Sequence, residues 1–153
     1  MSGKKKYNLD FISKDSVIAI DTMVFIYKFS EDNKYFDLVT EIFQALIAKS
    51  TPFISSIVTY MEVLSHPLLK DNDNLGNQYK IVFKALDNFR FIHTSQDIAD
   101  EASFLRRQYG LRLPDALQVA TAKVNNCSLL ITNDKFLKKV DKYMKITLLE
   151  DYL

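Results

Sequence analysis

The chain has 153 residues, 48% of them apolar and with 11 Phe and 8 Tyr, which suits one domain with its own core. Three Gly and three Pro argue against a disordered or repeat-built chain, and a formal net charge of +1 carries no overall nucleic-acid signature, so any basic surface must be local. The single Cys127 excludes an internal disulfide and reads as a buried, inert thiol beside an apolar strand.

The start, Met1-Ser2-Gly3-Lys4-Lys5-Lys6, is basic but lacks the apolar stretch of a secretory signal. It reads as a solvated tail within an N-terminal extension, residues 1–15, ahead of a domain over 16–153. No apolar run approaches the roughly 18 residues a membrane helix needs, and a cytosolic address is expected.

Residues 17–21, Val17-Ile18-Ala19-Ile20-Asp21, are the continuous apolar run expected of a strand buried on both faces. Residues 22–29 predict a short helix. Phe36, Val39, Phe43, Leu46 and Ile47 recur at helical spacing, and that helix should end near Ser50. Residues 52–56 read as a second strand, and 58–69 as a helix with Met61, Leu64 and Leu68 on one face. Residues 70–77 form a polar loop. Its Asp71 and Asp73 invite a calcium reading, but the full spacing and terminal Glu of an EF-hand loop are missing.

Tyr79, Val82, Phe83 and Leu86 continue as a helix, and Phe91-Ile92-His93 suggest a third strand. Thr94 or Ser95 can cap a helix whose apolar face is Ile98, Ala102, Leu105 and Tyr109 and which Gly110 stops. Pro114 suits the first turn of another helix, with Leu117, Ala120 and Val124 facing inward. Residues 128–132 predict a fourth strand, 134–140 a helix and 146–149 a last strand. Strands alternating with helices predict an α/β fold, a three-layer sandwich around a mainly parallel sheet.

Four carboxylates stand out in this pattern. Asp21 and Asp134 follow apolar strands, at the carboxyl ends where open α/β sheets bind ligands. Asp115 falls in a first helical turn, where the positive end of the helix dipole stabilises an ionised carboxylate. Glu62 is displaced from the Met61/Leu64/Leu68 face and can reach a rim. Singly, each has a plain reading as turn former, helix starter or solvated charge.

Together the four would repel one another unless a cation intervened, and oxygen ligands suit Mg²⁺ or Mn²⁺. In a small α/β domain such a site suggests phosphodiester chemistry, with the hydroxyls of Thr22 and Thr132 as candidate supports. His66 and His93 are isolated, and there is no Cys-x-x-Cys and no Gly-rich phosphate loop.

At these residues the chain resembles the PIN-domain ribonucleases. Four stretches carry the likeness in order: Ile18-Ala19-Ile20-Asp21-Thr22; Thr59-Tyr60-Met61-Glu62-Val63-Leu64; Leu113-Pro114-Asp115-Ala116-Leu117-Gln118-Val119-Ala120-Thr121-Ala122; and Leu130-Ile131-Thr132-Asn133-Asp134-Lys135-Phe136. The third is the most specific. Met23 departs from the polar Asn that many relatives carry after Asp-Thr.

The resemblance implies a Mg²⁺- or Mn²⁺-dependent endoribonuclease with Asp21, Glu62, Asp115 and Asp134 as catalytic metal ligands. It also implies products with a 5′-phosphate and a 3′-hydroxyl. Small members of this kind are similar to VapC-type toxins, which implies an antitoxin partner and a homodimer. A housekeeping RNA-processing nuclease and a non-catalytic module binding RNA or protein stay open as alternatives.

An acidic pocket repels RNA, so basic residues at its edge must compensate. Candidates are Lys28, Arg106, Arg107, Arg112, Lys135, Lys138 and Lys139, with Arg112 just upstream of Asp115 and Lys135 just after Asp134. The aromatics Phe25, Tyr27, Phe29, Tyr35 and Phe36 suit either a partner surface or the core, with Phe25 and Phe36 favoured as core.

Overall fold

The computed structural model describes residues 6–153. Five strands, β1 (Ile18–Ile20), β2 (Phe53–Ser56), β3 (Phe89–Ile92), β4 (Leu129–Thr132) and β5 (Ile146–Leu148), form one sheet in the order β3-β2-β1-β4-β5, and every pair is parallel. Parallel neighbours need long crossover connections. These are α1 (Thr22–Phe29), α2 (Phe36–Ala48), α3 (Ile57–Leu64), α4 (Asp73–Ala85), α5 (Gln96–Tyr109) and α6 (Leu113–Val124).

Helices cover both faces of the sheet, so β1, β2 and β4 are buried at every residue. Their side chains alternate between two cores. Ile18, Ile20, Phe53, Leu129 and Ile131 pack with residues of α1 to α4, including Phe25, Leu38, Ile42, Val63 and Phe83. Ala19, Ile54, Leu130, Ile146 and Leu148 face α5 and α6 through Ile98, Leu105, Val119 and Ala120. The result is a three-layer α/β/α sandwich. Phe25 anchors the first core, with ring centroids 5.2 Å from Phe43, 5.2 Å from Phe83 and 5.3 Å from Phe89. Leu9 and Ile12 are buried in the same cluster.

Several local readings are corrected. The polar stretch 70–77 is half helical, because α4 begins at Asp73 and the Asn72 side chain caps it by accepting from Leu75 N at 3.1 Å. Its Asn and Asp residues thus have a helix-starting role. α3 stops at Leu64, and Pro67–Leu69 forms a 3₁₀ turn whose Leu68 N–H donates to His66 Nδ1 at 3.2 Å.

The buried face of α3 is Val58, Thr59 and Val63, whereas Met61 and Leu68 are more than half exposed. Val124, at the last turn of α6, is exposed rather than inward-facing. Residues Lys135–Val140 wind as a 3₁₀ helix. The basic N-terminal tail lies outside the described residues except for Lys6, which is exposed and pairs with Asp37 at 3.3 Å. Among the described residues no helix is long and apolar enough to cross a membrane.

Candidate active site

From β1 the chain moves outward through β2 to β3, then returns to the other side of β1 with β4 and β5. The connections therefore diverge between β1 and β4, which opens a crevice at the carboxyl ends of these strands. Asp21 and Thr132 stand on its two sides. Thr132 Oγ1 donates to Asp21 Oδ2 at 2.6 Å and accepts from Asp134 N at 3.1 Å. One hydroxyl thus ties the two strand ends and the following turn together. The other Asp21 oxygen, Oδ1, accepts from Thr22 N at 2.8 Å and caps α1.

Asp21 is only 8% exposed. Burial pushes its carboxyl pKa from 3.8 up to about 6. The hydrogen bonds from Thr132 and Thr22 oppose that rise, and the charges of Asp115 and Glu62 add to it. Two further carboxylates therefore act electrostatically on Asp21.

Asp115 is 9% exposed and sits in the first turn of α6, behind Pro114. Its Oδ2 accepts from Arg112 Nε at 3.0 Å, and the Arg112 side chain is 76% exposed. That hydrogen bond and the Asp115 charge hold Arg112 more firmly in its charged form, with smaller contributions from Asp134 and Glu62. Glu62 projects from the open side of α3, and its Oε1 accepts from Thr22 Oγ1 at 2.8 Å. Asp134 spends one oxygen on its own turn, since Oδ1 accepts from Phe136 N at 2.9 Å.

The four acids and two threonines named from the sequence thus gather at one end of the sheet. The acids are each engaged by protein partners. Among the described residues, no group of three or more His, Cys, Asp or Glu side chains is arranged to hold a metal ion. The donor chemistry still fits a hard cation. All the donors are oxygens, and a buried carboxylate under repulsion from two neighbours gains from a positive charge.

Two polar residues at the site were missed in the sequence. Thr59 and Gln118 are buried, and both touch the Thr22 hydroxyl. Each had a signal. Gln118 interrupts the apolar face of α6 three residues after Asp115, and Thr59 precedes Glu62 by three on α3.

The basic candidates divide. Arg106 and Arg107 are exposed in the last turn of α5 and line a shallow depression of about 490 Å³ with Ser103, Gly110 and Leu111. Lys135 and Lys139 are exposed, with Lys139 over the Phe136 ring. Lys28 is committed elsewhere, to Thr40 at 2.8 Å and to the Phe36 ring, and Lys138 donates to Ile146 O at 2.7 Å.

The aromatics near α1 mostly face one another. Tyr27 stacks on Tyr35 at 4.6 Å and Phe29 on Tyr79 at 4.3 Å. Phe25 is core, and Phe36 is half-buried.

A PIN domain model matches residues 18–143, and the chain belongs to that family. No curated protein matches it. Among solved structures it is similar to a chain of a toxin–antitoxin complex from Klebsiella pneumoniae, with 28% identity, a TM-score of 0.61, and coverage of 86% of this chain and 97% of that one. It shares its fold with a chain of VapBC2 from Rickettsia felis, solved bound to a DNA fragment from their promoter, at 19% identity, TM-score 0.65, and 86% and 98% coverage. The same holds for a chain of VapBC-5 from Mycobacterium tuberculosis, a member of the VapBC family of toxin–antitoxin systems, at 17% identity, TM-score 0.54, and 87% and 97% coverage.

Proposed function

We propose that the protein is a divalent-metal-dependent endoribonuclease and the toxin of a toxin–antitoxin pair. The observation that carries the nuclease reading is the buried Asp21, pinned by Thr132 at the switch point, with Asp115 and Glu62 acting on it. Family membership supports hydrolysis of a phosphodiester. Similarity to the Klebsiella pneumoniae complex supports the toxin role and an antitoxin partner.

Asp21, Glu62, Asp115 and Asp134 would hold Mg²⁺ or Mn²⁺, which when bound supplies positive charge to the scissile phosphate and acidifies a water. The chain's own residues prepare the rest. Thr132 Oγ1 and the Thr22 amide orient the Asp21 carboxylate, and the Thr22 hydroxyl orients Glu62. Arg112 is held at the mouth of the site by a single carboxylate contact and is mostly exposed, so it is free to turn toward an RNA phosphate. Arg106, Arg107 and Lys135 are exposed, and Lys135 directly follows Asp134; we assign them the task of offsetting the acidic crevice. In the proposed hydrolysis, water adds to phosphorus and the P–O3′ bond breaks. The 3′ oxygen takes up a proton, leaving a 5′-phosphate and a 3′-hydroxyl.

Exposed Ile47, Ile81 and Val82 on α2 and α4 support an apolar partner surface, beside a cavity of about 220 Å³ lined by Phe25, Phe29, Phe43 and Leu86. The antitoxin is the partner we assign to it.

The test is cleavage of single-stranded and structured RNAs by wild type and Asp115→Asn, with Mg²⁺, with Mn²⁺ and with chelator. Wild type should cut only with metal, and the variant should not cut. No cleavage by wild type, or equal cleavage after the substitution, overturns the nuclease reading. Growth arrest on expression of wild type, absent for Asp115→Asn, tests the toxin role against a housekeeping one. Light scattering of the protein alone and with the product of a neighbouring gene reads out both the expected homodimer and the antitoxin complex.

A further inference from the structure

We propose that Gln118 is a positioning residue that sets the orientation of Glu62 through a one-way chain of hydrogen bonds. The proposal rests on the reading of the carboxylates as a metal site. Gln118 lies on α6, is 3% exposed, and reaches across to α1 and α3. Its Oε1 faces Ser56 N at 3.4 Å, and that N–H can only donate. This contact fixes which end of the amide is oxygen. The Nε2 end then faces the threonines, donating to Thr59 Oγ1 and to Thr22 Oγ1, the latter at 3.3 Å.

The remaining hydroxyl protons follow from that start. Thr22 Oγ1 lies 2.8 Å from Glu62 Oε1, and an ionised carboxylate only accepts, so the Thr22 proton is given to Glu62. Thr59 Oγ1 is 3.0 Å from Thr22 Oγ1, and with the Thr22 proton already committed, Thr59 is the donor of that pair. Every proton therefore points the same way, from the Gln118 amide through Thr59 and Thr22 to Glu62. Thr22, Thr59 and Gln118 are all buried, so water does not compete for these bonds. Glu62 itself is exposed, and its Oε1 accepts from Thr22 Oγ1. Its aim depends on this chain, which joins three helices at the residue next to Asp21.

The test measures Mn²⁺ binding by calorimetry rather than cleavage. Gln118→Leu should weaken binding about tenfold, the lower end of what loss of a ligand's supporting partner costs. In a Glu62→Ala background, where there is no carboxylate to aim, the same substitution should change affinity less than about twofold. Equal weakening in both backgrounds would assign Gln118 a merely structural role and overturn the proposal.

If Gln118→Leu fails to fold, the chain is cut instead at Thr22, through which both Gln118 and Thr59 reach Glu62. Thr22→Val should reproduce the loss, and Thr22→Ser, which keeps the hydroxyl, should restore binding; a Thr22→Val protein that binds Mn²⁺ like wild type overturns the relay. If wild type binds no Mn²⁺, the metal reading fails separately. The relay is then judged by urea unfolding in chelator: the shift in midpoint on cutting the chain must shrink in the Glu62→Ala background, and an equal shift overturns it.

Discussion

Asp21 is a carboxylate that the metal-free fold holds at a cost, and removing its charge should stabilise the protein. Its pKa stands at about 6 in the fold against 3.8 in the ordinary state. At about 1.4 kcal/mol per pH unit, that difference disfavours the ionised form by about 3 kcal/mol. The sign follows from proton counting. The folded state holds this proton to higher pH than the unfolded state does, so stability from this group is full below about pH 4 and is lost as pH rises through 6.

Asn is the nearest neutral replacement, although it offers one acceptor where the carboxylate served both Thr22 N and Thr132 Oγ1. Allowing for that loss, Asp21→Asn in chelator should gain about 2 kcal/mol at pH 7 and nothing at pH 4. In a chain of this length the gain appears as a rise of about 4–8 °C in Tm. Thermal unfolding of both proteins between pH 4 and 7, with and without Mg²⁺, is the assay. Metal should stabilise wild type and leave the variant unmoved. A variant that is no more stable than wild type at pH 7 in chelator, or a difference that does not grow with pH, refutes the reasoning.

Three other outcomes are expected. Phe25→Ala, at the centre of the first aromatic core, should cost about 3–5 kcal/mol in urea unfolding, a large share of a domain's stability. Gly110→Ala should cost about 1 kcal/mol, because Gly110 ends α5 at φ 64° and an added Cβ meets strain there rather than a neighbour. A cost near zero would mean the helix end relaxes. Cys127, whose thiol burial pushes up to about 12, should resist iodoacetamide in the native protein at pH 8 and react once unfolded. Equal rates in the two states would contradict its burial.

The strand runs were legible because burial on both faces leaves a continuous apolar stretch, and the β1 and β4 runs needed no further context. The candidate Asp21 stood out for the same reason, as the first polar residue after such a run, and Asp134 as the first acid after another. Glu62 was harder. The Met61/Leu64/Leu68 spacing suggested a buried face, but α3 breaks before Pro67, and Met61 and Leu68 point to solvent. The polar stretch 70–77 was misread because capping residues and loop residues share a composition, and only the periodicity of α4 beyond them distinguishes the two. Gln118 and Thr59 could not be paired from spacing at all. They lie 59 residues apart and meet because α6 and α3 converge beside β2. Lys28 and Lys138 looked like RNA contacts until tertiary partners claimed them.

The Thr132–Asp21 bond joins residues 111 positions apart, and β1 lies between β2 and β4. A nascent chain that has reached residue 128 can pair β1 with β2 and β2 with β3, yet it still lacks the strand that closes the other edge of β1, the hydroxyl that holds Asp21, and Asp134. The cluster is therefore completed only when β4 and the turn after it have been made. A site built this way would stay incomplete, however well β1 to β3 have folded, until β4 is in place.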